Sequence, residues 1–161
     1  MNPALAIVTA VIAFFVGAIP FGVLVSRTFY GTDLRGSGSG NIGAANALRT
    51  LGKRGAVAVL LLDALKGFAP TLAASAIGGA PLAALAAFAA MLGHCYSPFL
   101  AGRGGKGVAT FFGTLFALWW PAGLIFALVW IAAVAASGFS SVGSMLGTLA
   151  MIPALGLSAG G

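Results

Sequence analysis

The residues most capable of chemistry form two Gly-rich clusters. The first reads Gly36-Ser37-Gly38-Ser39-Gly40-Asn41-Ile42-Gly43-Ala44-Ala45-Asn46, with Arg49 three positions on. Glycines let backbone amides approach an anion, Ser39, Asn41 and Asn46 add neutral donors, and Arg49 offers a forked cation, which together suit a phosphate. Gly38, Gly40 and Gly43 also spell the dinucleotide pattern, but that reading needs a βαβ unit, and an apolar run precedes the cluster instead. A plain polar linker is the structural alternative. The second cluster runs from Gly93-His94 through Ser97-Pro98-Phe99-Leu100 to Arg103-Gly104-Gly105-Lys106-Gly107. It is not a Walker A motif, because glycine rather than Ser or Thr follows Lys106. A lysine flanked by glycines still suits a phosphate as a point charge beside exposed amides, or else the cations only fix topology.

His94, the sole histidine, is the one conventional general base on offer, although a lone histidine at a helix end is as readily structural. Asp63 and Lys66 stand three apart within an apolar run, hence on one helical face, where burial makes pairing the expected outcome whether or not they border a cavity. Ser137 to Ser144 supplies hydroxyls that serve either as ligand donors or as N-caps. One His, one Cys and two Asp offer no convincing metal cluster, and no acid is placed to complete a serine triad with His94. The single Cys95 has no internal disulfide partner.

The elements that carry these residues are set by composition. The chain has 161 residues, 60% hydrophobic and 6% charged, too apolar for a water-facing surface, so its solvent is lipid. The expectation is an all-α integral membrane protein: one transmembrane domain over residues 1–161, a polytopic bundle of about six short helices. Apolar runs place them near 4–25, 56–77, 82–92, 108–120, 122–136 and 145–157, joined by loops 26–55, 93–107 and 137–144 and by a tight Gly78-Gly79-Ala80-Pro81 turn. A single helix from Val108 to Ala136 would be about 43 Å long, more than a core of about 30 Å accepts without strong tilt, so Pro121 is read as a break. No basic stretch precedes the run from Ala4, which is expected to be a retained first helix rather than a cleaved signal. Small residues such as Gly113 and Ala117, four apart, suit close helix packing.

Eight Lys and Arg against two Asp give a net charge of +6, which favours anionic lipid or phosphorylated small molecules. Nucleic acid is a poor candidate, since no basic helix or aromatic strand stands outside the apolar runs. Arg27, Arg35, Arg49, Lys53 and Arg54 lie in loop 26–55, and Arg103 and Lys106 in loop 93–107, so both loops are expected on the cytoplasmic side. Alternation then puts Trp119-Trp120-Pro121 at the outer interface and the Ser-rich stretch inside.

The strings GSGNIGAANALRTLGK, LLDALKG and GHCYSPFLAGRGGKGVAT, followed by a Ser-Ser pair, resemble in that order the bacterial acyl-phosphate:glycerol-3-phosphate acyltransferase family. The likeness covers about Gly36 to Thr110. It implies a multi-helix inner-membrane enzyme without a cofactor, its active site facing the cytoplasm. The enzyme would move a fatty acyl group from acyl phosphate to the 1-hydroxyl of glycerol 3-phosphate, giving lysophosphatidic acid and phosphate in phospholipid synthesis. Carried over by position, Ser39, Arg49 and Lys106 would hold substrate phosphates, with Asn41, Asn46 and Ser140 or Ser141 as further donors. Proton removal would fall to His94 or to a substrate phosphate. Acyl phosphate is already activated, so such a protein mainly orients two anions and neutralises charge.

The chain departs from the family pattern at Ala45, where threonine is common, and it ends at Gly160-Gly161 without the further helix and His- and Asn-bearing motif that the resemblance implies. Two other readings have their own signatures: a transporter of small phosphorylated anions, which would place its site near the midplane among broken helices, and a noncatalytic lipid-binding subunit.

Overall fold

The computed structural model describes residues 2–159, with side chains described through Pro153. Gly160 and Gly161 lie outside the described residues. The fold is all-helical, with no strand among the described residues: α1 (Pro3–Ala18), α2 (Phe21–Tyr30), α3 (Ala44–Cys95), α4 (Val108–Leu118), α5 (Trp120–Ser137) and α6 (Ser140–Ala159), plus short 3₁₀ turns at Leu34–Gly36 and Pro98–Leu100. Two compact units result, Met1–Leu118 and Trp119–Gly161.

In the first unit, α1 starts where the Asn2 side chain accepts the amide of Ala4 at 2.9 Å and Pro3 occupies the first turn, where its missing N–H costs nothing. The single helix expected over 4–25 breaks at Ile19-Pro20 and resumes as α2, because proline cannot donate to the preceding turn. Gly31, at φ 62°, ends α2 in a left-handed conformation that suits glycine.

Loop 26–55 is shorter than expected: α2 enters it from one side, and α3 begins at Ala44. The 52 residues of α3 are not one rod, since Gly52, Gly78 and Gly79 leave helical geometry. Asp63 and His94 would be about 46 Å apart along a straight helix. His94 Nδ1 lies 3.9 Å from Asp63 Oδ1, so the chain reverses at Gly78-Gly79, where the tight turn was expected.

The halves of this hairpin pack against α1 and α4 through small residues. A Cβ on Gly93 would collide with the Phe14 carbonyl of α1, and one on Gly113 of α4 with the Ala64 carbonyl of α3. In lipid, where apolar surface gains nothing by burial, such backbone approach supplies the dispersion that holds helices together. The faces turned away carry Ile7, Val11, Phe15, Leu61 and Leu65, all exposed and suited to acyl chains.

In the second unit, α5 and α6 pair closely, and a Cβ on Gly147 would press on the Phe126 ring. Their junction is tighter than the expected loop 137–144. Only Gly138 and Phe139 separate them, and Ser137 Oγ donates to the Ala133 carbonyl at 2.6 Å while accepting the Phe139 amide at 3.2 Å. Among the described residues, three helical stretches are long and apolar enough to cross a membrane, 3–30, 44–100 and 120–137, with Val108–Leu118 as a shorter apolar helix.

Candidate functional site

Both Gly-rich clusters belong to the first unit, and the fold brings them together. Asn46, buried in the first turn of α3, organises the first. Its amide nitrogen faces the carbonyls of Leu34 at 3.1 Å, Ser37 at 2.9 Å and Asn41 at 2.8 Å, and its oxygen accepts the Ser39 amide at 2.9 Å. Asn41 Oδ1 in turn accepts the Gly43 amide at 2.9 Å, just ahead of α3. The cluster is thus a built loop, and Asn46 is occupied in holding it.

At its upstream edge Asp33 gathers two arginines. Its Oδ2 lies 2.7 Å from Nη2 of both Arg27 and Arg35, and its Oδ1 accepts the Arg35 amide at 3.0 Å. The Arg35 guanidinium and amide, followed by Arg27, hold the Asp33 carboxyl well below the ordinary carboxylate range, and Asp33 reciprocally raises Arg35.

The second cluster turns back on the end of α3. The amides of Gly104 and Gly105 donate to the carbonyls of Cys95 at 3.0 Å and His94 at 3.1 Å. This corrects the expectation of exposed amides beside Lys106: Gly104 and Gly105 satisfy the orphan carbonyls of a helix terminus instead. Glycine is required there, because a Cβ on Gly104 would strike the His94 carbonyl and one on Gly105 the His94 ring at Nε2. Leu100 of the following 3₁₀ turn is buried with Val23 of α2 and Ile42 of the first loop, which fixes the two loops side by side.

Between them lies a cleft of about 890 Å³. One wall carries Arg35, Ser39 and Asn41, and the other Phe99, Leu100 and Arg103. Of the residues expected at a phosphate site, Ser39 and Asn41 therefore border this cleft. Arg49 and Lys106 are exposed, make no ion pair or hydrogen bond among the described residues, and are not part of the cleft wall. Ala45 is likewise exposed. Ser140 and Ser141 open α6 in the second unit, where the Ser140 carbonyl accepts Ser144 Oγ at 2.8 Å. Arg35 and Arg103 are the cations of the cleft. Composition had marked them only as loop charge, because their convergence depends on how the two loops fold.

His94 is buried, 3% exposed, with Nδ1 3.2 Å from Thr110 Oγ1 and its ring against Gly105. Behind it, Asp63 and Lys66 pair at 2.7 Å, a contact close enough for a hydrogen bond but without the alignment of one. Lys66 Nζ also donates to the Ile19 carbonyl at 2.7 Å and sits 5.7 Å from the Phe21 ring centre, and Ser97 Oγ donates to the Ala18 carbonyl at 2.6 Å. These side chains satisfy the carbonyls freed where α1 stops at Pro20. Broken helices within a membrane need such partners.

The family described as glycerol-3-phosphate acyltransferase matches residues 7–158. A glycerol-3-phosphate acyltransferase of Cereibacter sphaeroides is 51% identical over 140 residues, which are 87% of this chain and 67% of that protein. One from Jannaschia sp. is 49% identical over 138 residues, 86% and 68% of the two chains. In three dimensions the chain resembles the crystal structure of PlsY (YgiH), an integral membrane glycerol 3-phosphate acyltransferase, in its glycerol 3-phosphate form, with a TM-score of 0.89 and 37% identity over 95% of this chain and 77% of that one. The lysophosphatidic acid form of the same enzyme gives 0.88 and 35%, covering 95% and 76%. Sequence and backbone agree along nearly the whole chain, so it belongs to the glycerol-3-phosphate acyltransferase family.

Proposed function

We propose that this protein transfers a fatty acyl group from acyl phosphate to the 1-hydroxyl of glycerol 3-phosphate, yielding lysophosphatidic acid and inorganic phosphate. The observation that carries this reading is the cleft itself, a polar and cationic opening between two motif loops in a chain of this family. In the reaction the hydroxyl oxygen bonds to the acyl carbon, the bond from that carbon to the phosphate oxygen breaks, and phosphate leaves with the electron pair. Arg49 and Lys106, exposed and unneutralised, are assigned to the substrate phosphates, with Ser39 and Asn41 as neutral donors and Asn46 as the scaffold of the first loop. Cations aimed at charge that shifts onto the leaving phosphate stabilise the transition state more than the ground state.

The hydroxyl proton is assigned to a substrate phosphate. Burial of His94 beneath Gly105, with Nδ1 beside Thr110, supports a structural task for it over that of base. In the same reading the six apolar segments form one membrane domain in the bacterial inner membrane, and the cationic loops face the cytoplasm. The excess of Arg and Lys in those two loops supports that orientation.

The test is release of inorganic phosphate from acyl phosphate by the purified protein, with and without glycerol 3-phosphate, with lysophosphatidic acid followed in parallel. Stoichiometric, acceptor-dependent product is expected, and Arg49→Ala and Lys106→Ala should each lower the rate by about a hundredfold or more. Absence of acceptor-dependent product, or near-normal rates in both variants of an active enzyme, would overturn the reading or the site assignment respectively.

A further inference from the structure

The His94 ring stands between two anchors of the segment that carries Lys106. On one side Nδ1 lies 3.2 Å from Oγ1 of Thr110, in the first turn of α4. On the other side is Gly105, whose amide donates to the His94 carbonyl at 3.1 Å. A Cβ on Gly105 would fall nearest Nε2, with Cε1 at 3.0 Å and Cδ2 at 3.3 Å, so the Gly105 Cα–H bond in that direction meets the ring edge at Nε2. Lys106 falls between these two contacts in sequence. Thr110 is itself fixed, because Gly67 of α3 comes so close that a Cβ there would strike the Thr110 carbonyl.

The same contacts decide where the imidazole carries its proton. An N–H at Nε2 would drive its hydrogen against the one on the Gly105 Cα, whereas a bare nitrogen accepts a weak C–H contact there. At Nδ1 the preference is reversed. Asp63 Oδ1 lies 3.9 Å away, too far for a hydrogen bond but near enough to repel a lone pair and attract an N–H. Thr110 Oγ1 is placed to accept that proton. Both Asp63 oxygens are buried without a hydrogen-bond partner, and Lys66 Nζ, 2.7 Å from Oδ1, keeps the carboxylate in place.

We propose that Thr110 and Asp63 are positioning residues that hold His94 with its proton on Nδ1, and that the ring so held is a strut between Thr110 and Gly105 that sets where Lys106 stands. The catalytic consequence rests on the assignment of Lys106 to a substrate phosphate made above. The strut and its tautomer do not.

His94 is the sole histidine of the chain, so nitrogen-15 labelling of histidine reports on one ring. In the full chain, purified in detergent on a histidine-free affinity tag, NMR near neutral pH should show a protonated Nδ1 and a bare Nε2. The two are told apart because Nε2 couples to both carbon-bound ring protons. A proton on Nε2 in the unmodified protein overturns the proposal whether or not any variant folds. Thr110→Val keeps the shape and loses the acceptor. It should admit the other tautomer, speed hydrogen exchange at the Gly105 amide by about tenfold, and lower kcat/KM for acyl transfer by about tenfold. Thr110→Ser should match wild type in all three. A folded Thr110→Val with wild-type tautomer and exchange overturns the strut, as does a Thr110→Ser as impaired as the valine variant. The double variant Asp63→Leu, Lys66→Met should also admit the Nε2 tautomer, and an unchanged spectrum there overturns the role given to Asp63. The spectra and the exchange need no turnover. A wild-type protein with the expected spectrum and no acyl transfer would therefore count against the function proposed above and support the strut, whereas an active enzyme whose rate ignores Thr110→Val despite faster exchange would overturn the link to Lys106.

Discussion

Lys66 Nζ lies 2.7 Å from the carbonyl oxygen of Ile19, tying the middle of α3 to the point where α1 gives way to α2. The same ammonium neutralises Asp63, so one side chain serves a helix break and a buried carboxylate together. The direction in which α2 leaves, and hence the placing of the first motif loop, depends on that contact.

Replacing Lys66 with methionine should therefore cost about 3–5 kcal/mol, the penalty for leaving a buried charge without its partner. The double variant Asp63→Leu, Lys66→Met should recover part of the loss, since the Ile19 carbonyl stays unsatisfied. Thermal unfolding in detergent checks both. A double variant no better than the single one would mean that the carbonyl contact, not the ion pair, dominates.

His94→Gln keeps an amide able to bond Thr110. The expected fall in kcat is less than about tenfold, against the 10²–10⁴-fold that removal of a positioned general base brings. Single-turnover kinetics with saturating acyl phosphate reads this directly, and a loss of three orders of magnitude would return the proton to His94.

Asn46→Leu preserves approximate volume and removes the four side-chain bonds that Asn46 makes to the first loop. Each buried acceptor left without a donor costs about 1–3 kcal/mol. Faster hydrogen exchange at the Ser39 amide, accompanied by a higher KM for glycerol 3-phosphate, is expected. A protected Ser39 amide in the variant would show that the loop is held by other means.

The Asp33 carboxyl titrates below its ordinary 3.8 because Arg35, then Arg27, favour its charged form. The folded protein thus holds this proton less tightly than the unfolded chain, so the contribution is complete above the ordinary value and drains away as pH falls through the folded one. The difference in melting temperature between wild type and Asp33→Asn should stay constant from about pH 5 upward and shrink below about pH 4. Because the cluster is partly exposed, added salt should reduce the difference at every pH. A difference that grows on acidification would contradict the sign.

What the sequence disclosed followed from local chemistry. Gly78-Gly79-Ala80-Pro81 announces a reversal by composition alone, and the chain does turn there. Pro20 is equally present, but its neighbours are apolar, and hydropathy runs across a proline without change, so composition does not mark the break at Ile19. The start of α3 at Ala44 was hidden by Arg49, Lys53 and Arg54, whose charge reads as loop although it sits on helix. Asn46 announced polarity but not direction: its amide turns inward to carbonyls that only the folded loop presents. Arg35 and Arg103 are 68 positions apart and line one cleft because Leu100 packs with Ile42 and Val23.

The bonds from Gly104 and Gly105 to the carbonyls of Cys95 and His94 carry a mechanical consequence. The loop bearing Arg103 and Lys106 is stapled to the end of α3 and has no independent hinge at that end. Arg103 and Lys106 are thereby coupled to the orientation of that helix end, rather than free to move on a swinging loop.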